Sequence, residues 1–216
     1  MLPIALAARE HQLPCLVKTN GFLHPSSLAF WAGILDAANI DLKAFRESTY
    51  RQLGGHLGPV LDAMEGLRER GVWVEISTLV INGINDTDQE LADLADHLVA
   101  RLGPETPWHL LRFFPIGDLA DRSPTPLSTL QRAREIGLAA GLQYVYFGNI
   151  KSSEEQSTYC PSCSRMVIKR SGDCVLHNAI VDDHCPDCGT LIPGYGMSVR
   201  PSGPTPHMTA EEIRCG

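Results

Sequence analysis

Apolar positions along this chain fall into two kinds of run that alternate. Residues 15–19, 38–43, 72–81, 108–114 and 144–147 are short stretches rich in apolar and β-branched side chains, bounded by Gly, Pro, Asn or Asp. Runs of that length and flanking read as buried strands. Between them the apolar residues recur at three- and four-residue spacing. Residues 59–70 put Leu61, Met64 and Leu67 on one face, begin with Pro59 in the first turn and stop at Gly71. Leu91, Leu94, Leu98 and Leu102 share another stripe, and Thr87 with Glu90 three residues on makes a capping box at its start. Residues 127–140 end at Gly141, and residues 1–11 and 25–33 complete the set. These patterns predict helices. Strand–helix alternation predicts right-handed βαβ units and a parallel sheet, an α/β fold.

The pattern changes after residue 150. Cys160-Pro161-Ser162-Cys163 and Cys185-Pro186-Asp187-Cys188 are separated by 21 residues. Each pair brings two thiolates onto one tight turn, and two turns can supply the four sulfurs of a tetrahedral Zn²⁺ site. An iron–sulfur centre, two disulfides or a redox dithiol are the other readings of the same four thiols. Short strands at 166–169 and 173–176, with a Ser171-Gly172 turn between them, fit a zinc-ribbon-like module. The expected organisation is a sheet domain over 1–150, a four-cysteine module over 151–195 and a disordered Pro-, Gly- and Ser-rich tail over 196–216.

Composition narrows the classes. The 216 residues are 44% hydrophobic and 20% charged, which suffices for a core. A net charge of −7 argues against nucleic acid or an anionic membrane as partner. The basic residues of the four-cysteine module are balanced by acids, unlike a nucleic-acid finger. No apolar run approaches the ~20 residues of a membrane span. Residues 2–8 have no basic flank and reach Arg9-Glu10 too soon for a signal peptide. Seven cysteines, four of them in metal spacing, suit a reducing cytoplasm.

In parallel α/β folds ligands bind beyond the carboxyl ends of the strands. Those ends carry Thr19-Asn20-Gly21, Asp41 with Lys43, Thr78 to Gly83, Arg112, and Gly148-Asn149; Glu75 is polar within an apolar run. Asp41 and Lys43 are also consistent with a plain ion pair at a sheet end. A helix before the first strand, and five strands where a closed barrel needs eight, leave an open sheet edge. Either this is a small open sheet, or the chain is N-terminally incomplete, the back part of something larger, with its missing half or another protein at that edge.

Thr19-Asn20-Gly21, the run from Asn39 to Phe45, the run from Val72 to Thr78, Trp108-His109 with Arg112-Phe113, Tyr144-Val145-Tyr146 with Gly148-Asn149, and the two Cys-Pro-x-Cys turns together resemble the AmmeMemoRadiSam-system radical SAM enzymes, relatives of the glycyl-radical activating enzymes. The resemblance extends to about Pro193. It implies a partial (β/α) barrel that binds S-adenosylmethionine and a [4Fe–4S] cluster and generates a 5′-deoxyadenosyl radical. By position it implies Asn20, Asp41 and Lys43 at the methionine moiety, Glu75 and Thr78 near the ribose or methionine end, residues 81–84 beside the adenine, and Arg112 towards the substrate.

The chain also departs from that family. No Cys-x₃-Cys-x₂-Cys run occurs in the 216 residues, and Cys15 stands alone. The Gly-Gly-Glu-Pro-type segment that holds the methionine ammonium is absent as well. Asn82 stands where relatives have proline, and Phe114 where many have histidine. Without cluster ligands the 216 residues are expected to be inactive by themselves. A zinc-stapled α/β scaffold that binds a protein partner without catalysis, and an unrelated small α/β enzyme, are the alternatives.

Overall fold

The structure is a computed structural model that describes residues 2–151, 154–172 and 174–198. The chain divides into two compact units, Met1–Asn149 and Ile150–Gly216. Most of the tail expected to be disordered, from residue 199 on, lies outside the described residues.

The first unit runs α1 (Leu2–Glu10), β1 (Leu16–Thr19), α2 (Pro25–Ala32), β2 (Ala37–Asp41), α3 (Glu47–Gln52), α4 (Leu57–Arg68), β3 (Trp73–Val80), α5 (Asp88–Leu102), β4 (Trp108–Arg112), α6 (Leu127–Ala140) and β5 (Val145–Gly148). The five strands are parallel and ordered β1-β2-β3-β4-β5. Strand order that follows chain order never reverses the winding. Right-handed crossovers therefore put the helices on the same face, as in a barrel wall. Ala38, Ile40, Val74, Ile76, Val80, Trp108, Leu110, Val145 and Phe147 form the sheet's side of that core. Met64, Leu67, Leu91, Leu94, Leu98 and Leu130 meet them from α4, α5 and α6. A Cβ on Gly137 of α6 would sit 2.9 Å from the Trp108 ring. Glycine is what lets this helix lie directly on the indole.

Several element boundaries differ from the sequence reading. α3 has little apolar periodicity, so nothing in the pattern announced it. It buries Tyr50 and turns Glu47 back towards α4. There the carboxylate accepts the backbone N–H of Leu57 at 2.9 Å, so α4 begins at Leu57 and not at Pro59. Its cap comes from ten residues upstream, outside any local capping pattern. Among the strands, β2 ends at Asp41 and leaves Lys43 in the following loop, and β4 ends at Arg112 and leaves Phe113 and Phe114 in the next.

The second unit is an antiparallel sheet of β6 (Thr158–Tyr159), β7 (Met166–Ser171) and β8 (Cys174–Asn178), in that order. Its core is Cys160, Val167, Ile168, Ile180, Cys185 and Ile192, with Met197 packed against it. Among the described residues no helix is long and apolar enough to cross a membrane.

Candidate functional site

Side chains alternate across a strand, so the face opposite the helices is fixed by register. On it Lys18, Asn39 and Glu75 lie side by side on β1, β2 and β3. One step further along, Asp41, Ser77, His109 and Tyr146 form a second row across β2 to β5. An apolar sheet has no need of such residues, and their desolvation is costly unless they are paired.

They are paired. Lys18 Nζ donates to Asn39 Oδ1 at 2.8 Å, Asp41 Oδ1 at 2.9 Å and Ser77 Oγ at 3.3 Å. Lys43 Nζ donates to the other Asp41 oxygen at 2.8 Å. Ser77 Oγ donates to Asn39 Oδ1 at 2.7 Å. Burial works to raise the Asp41 pKa, but the hydrogen bonds and charges of Lys43 and Lys18 outweigh it and hold the carboxyl below its usual range. Across the sheet, Glu75 Oε2 meets His109 Nε2 at 2.8 Å and Glu75 Oε1 accepts from Trp73 Nε1 at 3.1 Å. Burial again opposes the charge, and the contacts with His109, Trp73 and Asn39 overcome it, so Glu75 is a carboxylate. The Tyr146 ring lies 5.3 Å from that of His109.

Lys43 sits on a loop held by three side chains. The Tyr50 hydroxyl accepts the Lys43 N–H at 3.0 Å, and burial, together with the charge of Asp41, pushes the phenol up to about 12. Asn85 is buried, donating to Lys43 O at 2.7 Å and Leu79 O at 2.9 Å while accepting from Ile81 N–H at 2.7 Å. Glu90 is buried too and accepts the Phe45 N–H at 2.7 Å. The ends of β2 and β3 are thus locked together, and Lys43 is delivered to Asp41 on a fixed backbone.

Of the residues singled out by the sequence, Asp41, Lys43 and Glu75 belong to this polar network. Asn20 is exposed at the tip of β1, where its Oδ1 accepts the Phe22 N–H at 3.1 Å. With Lys43, Tyr50 and His56 it lines an open pocket of about 270 Å³. Thr78 and Arg112 do not join the network. Thr78 shares the parity of Ile76 and Val80, on the helix face; its hydroxyl donates to Leu42 O at 2.9 Å and accepts from the Trp108 indole at 3.0 Å. Arg112 is at the carboxyl rim but pairs in register with buried Val80, and its Nε donates to Thr125 O at 2.8 Å. Lys18, Asn39, Ser77, His109 and Tyr146 were missed as site residues. Their signal was strand parity, readable only once register says which neighbours stand abreast.

In the second unit the two Cys-x-x-Cys turns are built alike. Cys160 N–H donates to Arg165 O at 2.8 Å and Ser164 N–H to Cys160 O at 2.9 Å; Cys185 N–H donates to Thr190 O at 2.8 Å and Gly189 N–H to Cys185 O at 2.9 Å. Ser164 and Gly189 occupy the same left-handed position, at φ 60° and 71°. Arg165 and Asp187 join the two turns by an ion pair. The sulfurs of Cys160, Cys163, Cys185 and Cys188 all lie within 4.8 Å of one another, with 3.5 Å between Cys160 and Cys188 and 3.7 Å between Cys163 and Cys185. A tetrahedron with metal–sulfur bonds of ~2.3 Å has edges of ~3.8 Å. The four thiols can hold one metal ion.

No protein-family model matches the chain. An uncharacterized protein of Methanocaldococcus jannaschii is 33% identical over 194 residues, covering 89% of this chain and 58% of that protein. The chain thus spans little more than half the length of this curated relative. Among solved structures, a domain of pyruvate-formate lyase-activating enzyme from Bacteroides vulgatus matches with TM-score 0.59 and 16% identity, over 68% of this chain and 89% of that one. A radical SAM methyltransferase from Sphaerobacter thermophilus matches with TM-score 0.51 and 18% identity, over 68% and 46%. Streptococcus suis SuiB bound to S-adenosylmethionine matches with TM-score 0.52 and 13% identity, over 67% and 33%; SuiB has also been solved bound to precursor peptide SuiA. The fold is that of radical SAM enzymes: a parallel five-stranded α/β sheet, here followed by a cluster of four cysteines.

Proposed function

We propose that these residues are the S-adenosylmethionine-facing portion of a radical SAM enzyme of the AmmeMemoRadiSam kind. The observation that carries this is the Lys18–Asp41–Lys43 cluster on the helix-free side of a barrel-type sheet. One carboxylate between two ammonium groups offers both signs of charge to a zwitterionic amino acid. Asn20, Asp41 and Lys43 then meet the methionine end and Glu75 the ribose side. Thr78 acts through the backbone, fixing Leu42 O next to Lys43, and Arg112 sits at the rim near the substrate end, its Nε held by Thr125 O.

The [4Fe–4S] cluster does not fit the sheet unit. It needs three thiolates on one loop, and Cys15 is buried with Ala5 O and Leu13 O as its nearest polar partners. Its ligands have to come from outside these 216 residues. The group of four cysteines is not a substitute, because four thiolates close the coordination shell. We assign it to a structural Zn²⁺ in a zinc-ribbon-like module, supported by the paired turns and the sulfur spacing, and we place the protein in the reducing cytoplasm. The second reading, a zinc-stapled scaffold that docks a protein partner, is favoured by Leu16, 65% exposed on edge strand β1.

Anaerobic reconstitution with iron, sulfide and reductant tests the reading. The 216 residues alone yield no 5′-deoxyadenosine above background, and a segment bearing Cys-x₃-Cys-x₂-Cys restores multiple turnovers. Turnover by the chain alone, or none with the added segment, overturns it.

A further inference from the structure

Glu75 and His109 are engaged with each other, yet only one ring nitrogen of His109 is used. Glu75 is a carboxylate and can only accept, so His109 Nε2 carries the proton in their 2.8 Å contact. In the neutral ring Nδ1 is then an acceptor, and it has no hydrogen-bond partner among the described residues. The side chain as a whole retains 28% of its exposure. Glu75 is itself held by Trp73 and Asn39, and Tyr146 flanks the ring. The arrangement is an imidazole fixed in tautomer and orientation by a carboxylate, on the same face as Asp41 and one strand beyond Ser77 in the same row. A histidine that merely filled space would need no oriented carboxylate beneath it; aliphatic residues would cover the sheet at lower desolvation cost.

We propose that His109 is a substrate-binding residue of the polar face, accepting a hydrogen bond at Nδ1 from an N–H or O–H group of the substrate, with Glu75 as its positioning residue. This rests on the reading of the polar face as the ligand side, and on nothing about S-adenosylmethionine.

The test is ¹⁵N imidazole NMR on the full chain, with N-acetylglycinamide as the peptide-group probe. Wild type is expected to show His109 with Nδ1 unprotonated and Nε2 protonated. Glu75→Gln is expected to lose that preference. The probe is expected to shift His109 Nδ1 saturably while leaving the surface residues His24 and His177 unmoved. His109→Gln is expected to melt within about 4 °C of wild type, the change about 1 kcal/mol makes in a domain this size. A protonated Nδ1, an unchanged tautomer in Glu75→Gln, a probe that moves all three histidines alike or none, or a larger fall in melting temperature would overturn the proposal, the last by showing a structural plug. No arm uses S-adenosylmethionine, so failure here leaves the radical reading standing, and failure of that reading leaves these signals readable.

Discussion

The two units keep their folds by different means. The sheet unit buries its strands' apolar side chains under the stripes of α4, α5 and α6, and Lys18, Asp41, Glu75 and His109 are collected on the other face. The four-cysteine unit buries Cys160, Val167, Ile168, Ile180, Cys185 and Ile192, so two of its six core residues are thiols. A core that small supplies little burial, and small domains commonly add a metal or disulfides. One unit carries its polar network on a large apolar core, and the other has four thiols placed to hold a metal ion.

The largest expected effect separates them. Cys163→Ser, or chelation, removes a ligand from a site whose metal supplies ~10–16 kcal/mol in comparable zinc peptides. Backbone hydrogen exchange should become rapid in the four-cysteine unit and stay slow in β2, β3 and β4, with metal content falling to zero. Loss of protection in both units would end the comparison. The mirror experiment is Leu98→Ala, at a fully buried position of α5. It should cost about 2–5 kcal/mol in denaturant unfolding of the sheet unit and leave the bound metal unchanged.

Smaller changes sharpen the contrast. Asn85→Ala removes three hydrogen bonds to backbone groups and should cost about 1–3 kcal/mol, with faster exchange of the Ile81 amide. Ser164→Gly relieves a left-handed residue in the first Cys turn and should stabilise the four-cysteine unit by about 1 kcal/mol, seen as slower metal loss to a chelator. The pH profile should show the polar network. Asp41 has its pKa lowered on folding, so its contribution is complete above the unfolded value of 3.8 and is lost as pH falls below it. Melts of wild type and Asp41→Asn should converge as pH drops below that value. Parallel curves would mean that the lysines do nothing for the carboxylate.

Local chemistry along the chain determined the class of fold, its five strands and the four thiols that can hold a metal ion. The strands are bounded by glycine and proline and the main helices carry leucine stripes, so burial and periodicity point the same way. The cysteines are readable because a turn brings residues three apart to one point without help from the rest of the chain. What the tertiary structure alone decided is which residues share a surface. Lys18, Asn39, Glu75 and His109 lie on four strands, and only register sets them on one face. A one-residue slip would have turned each to the helix side. The same holds for α3 and the start of α4, where the deciding contact joins Glu47 to Leu57. Pairing also decided against Thr78 and Arg112 as members of the network: near a strand end, residue order tells only the position along the strand, while the face is set by the neighbouring strands.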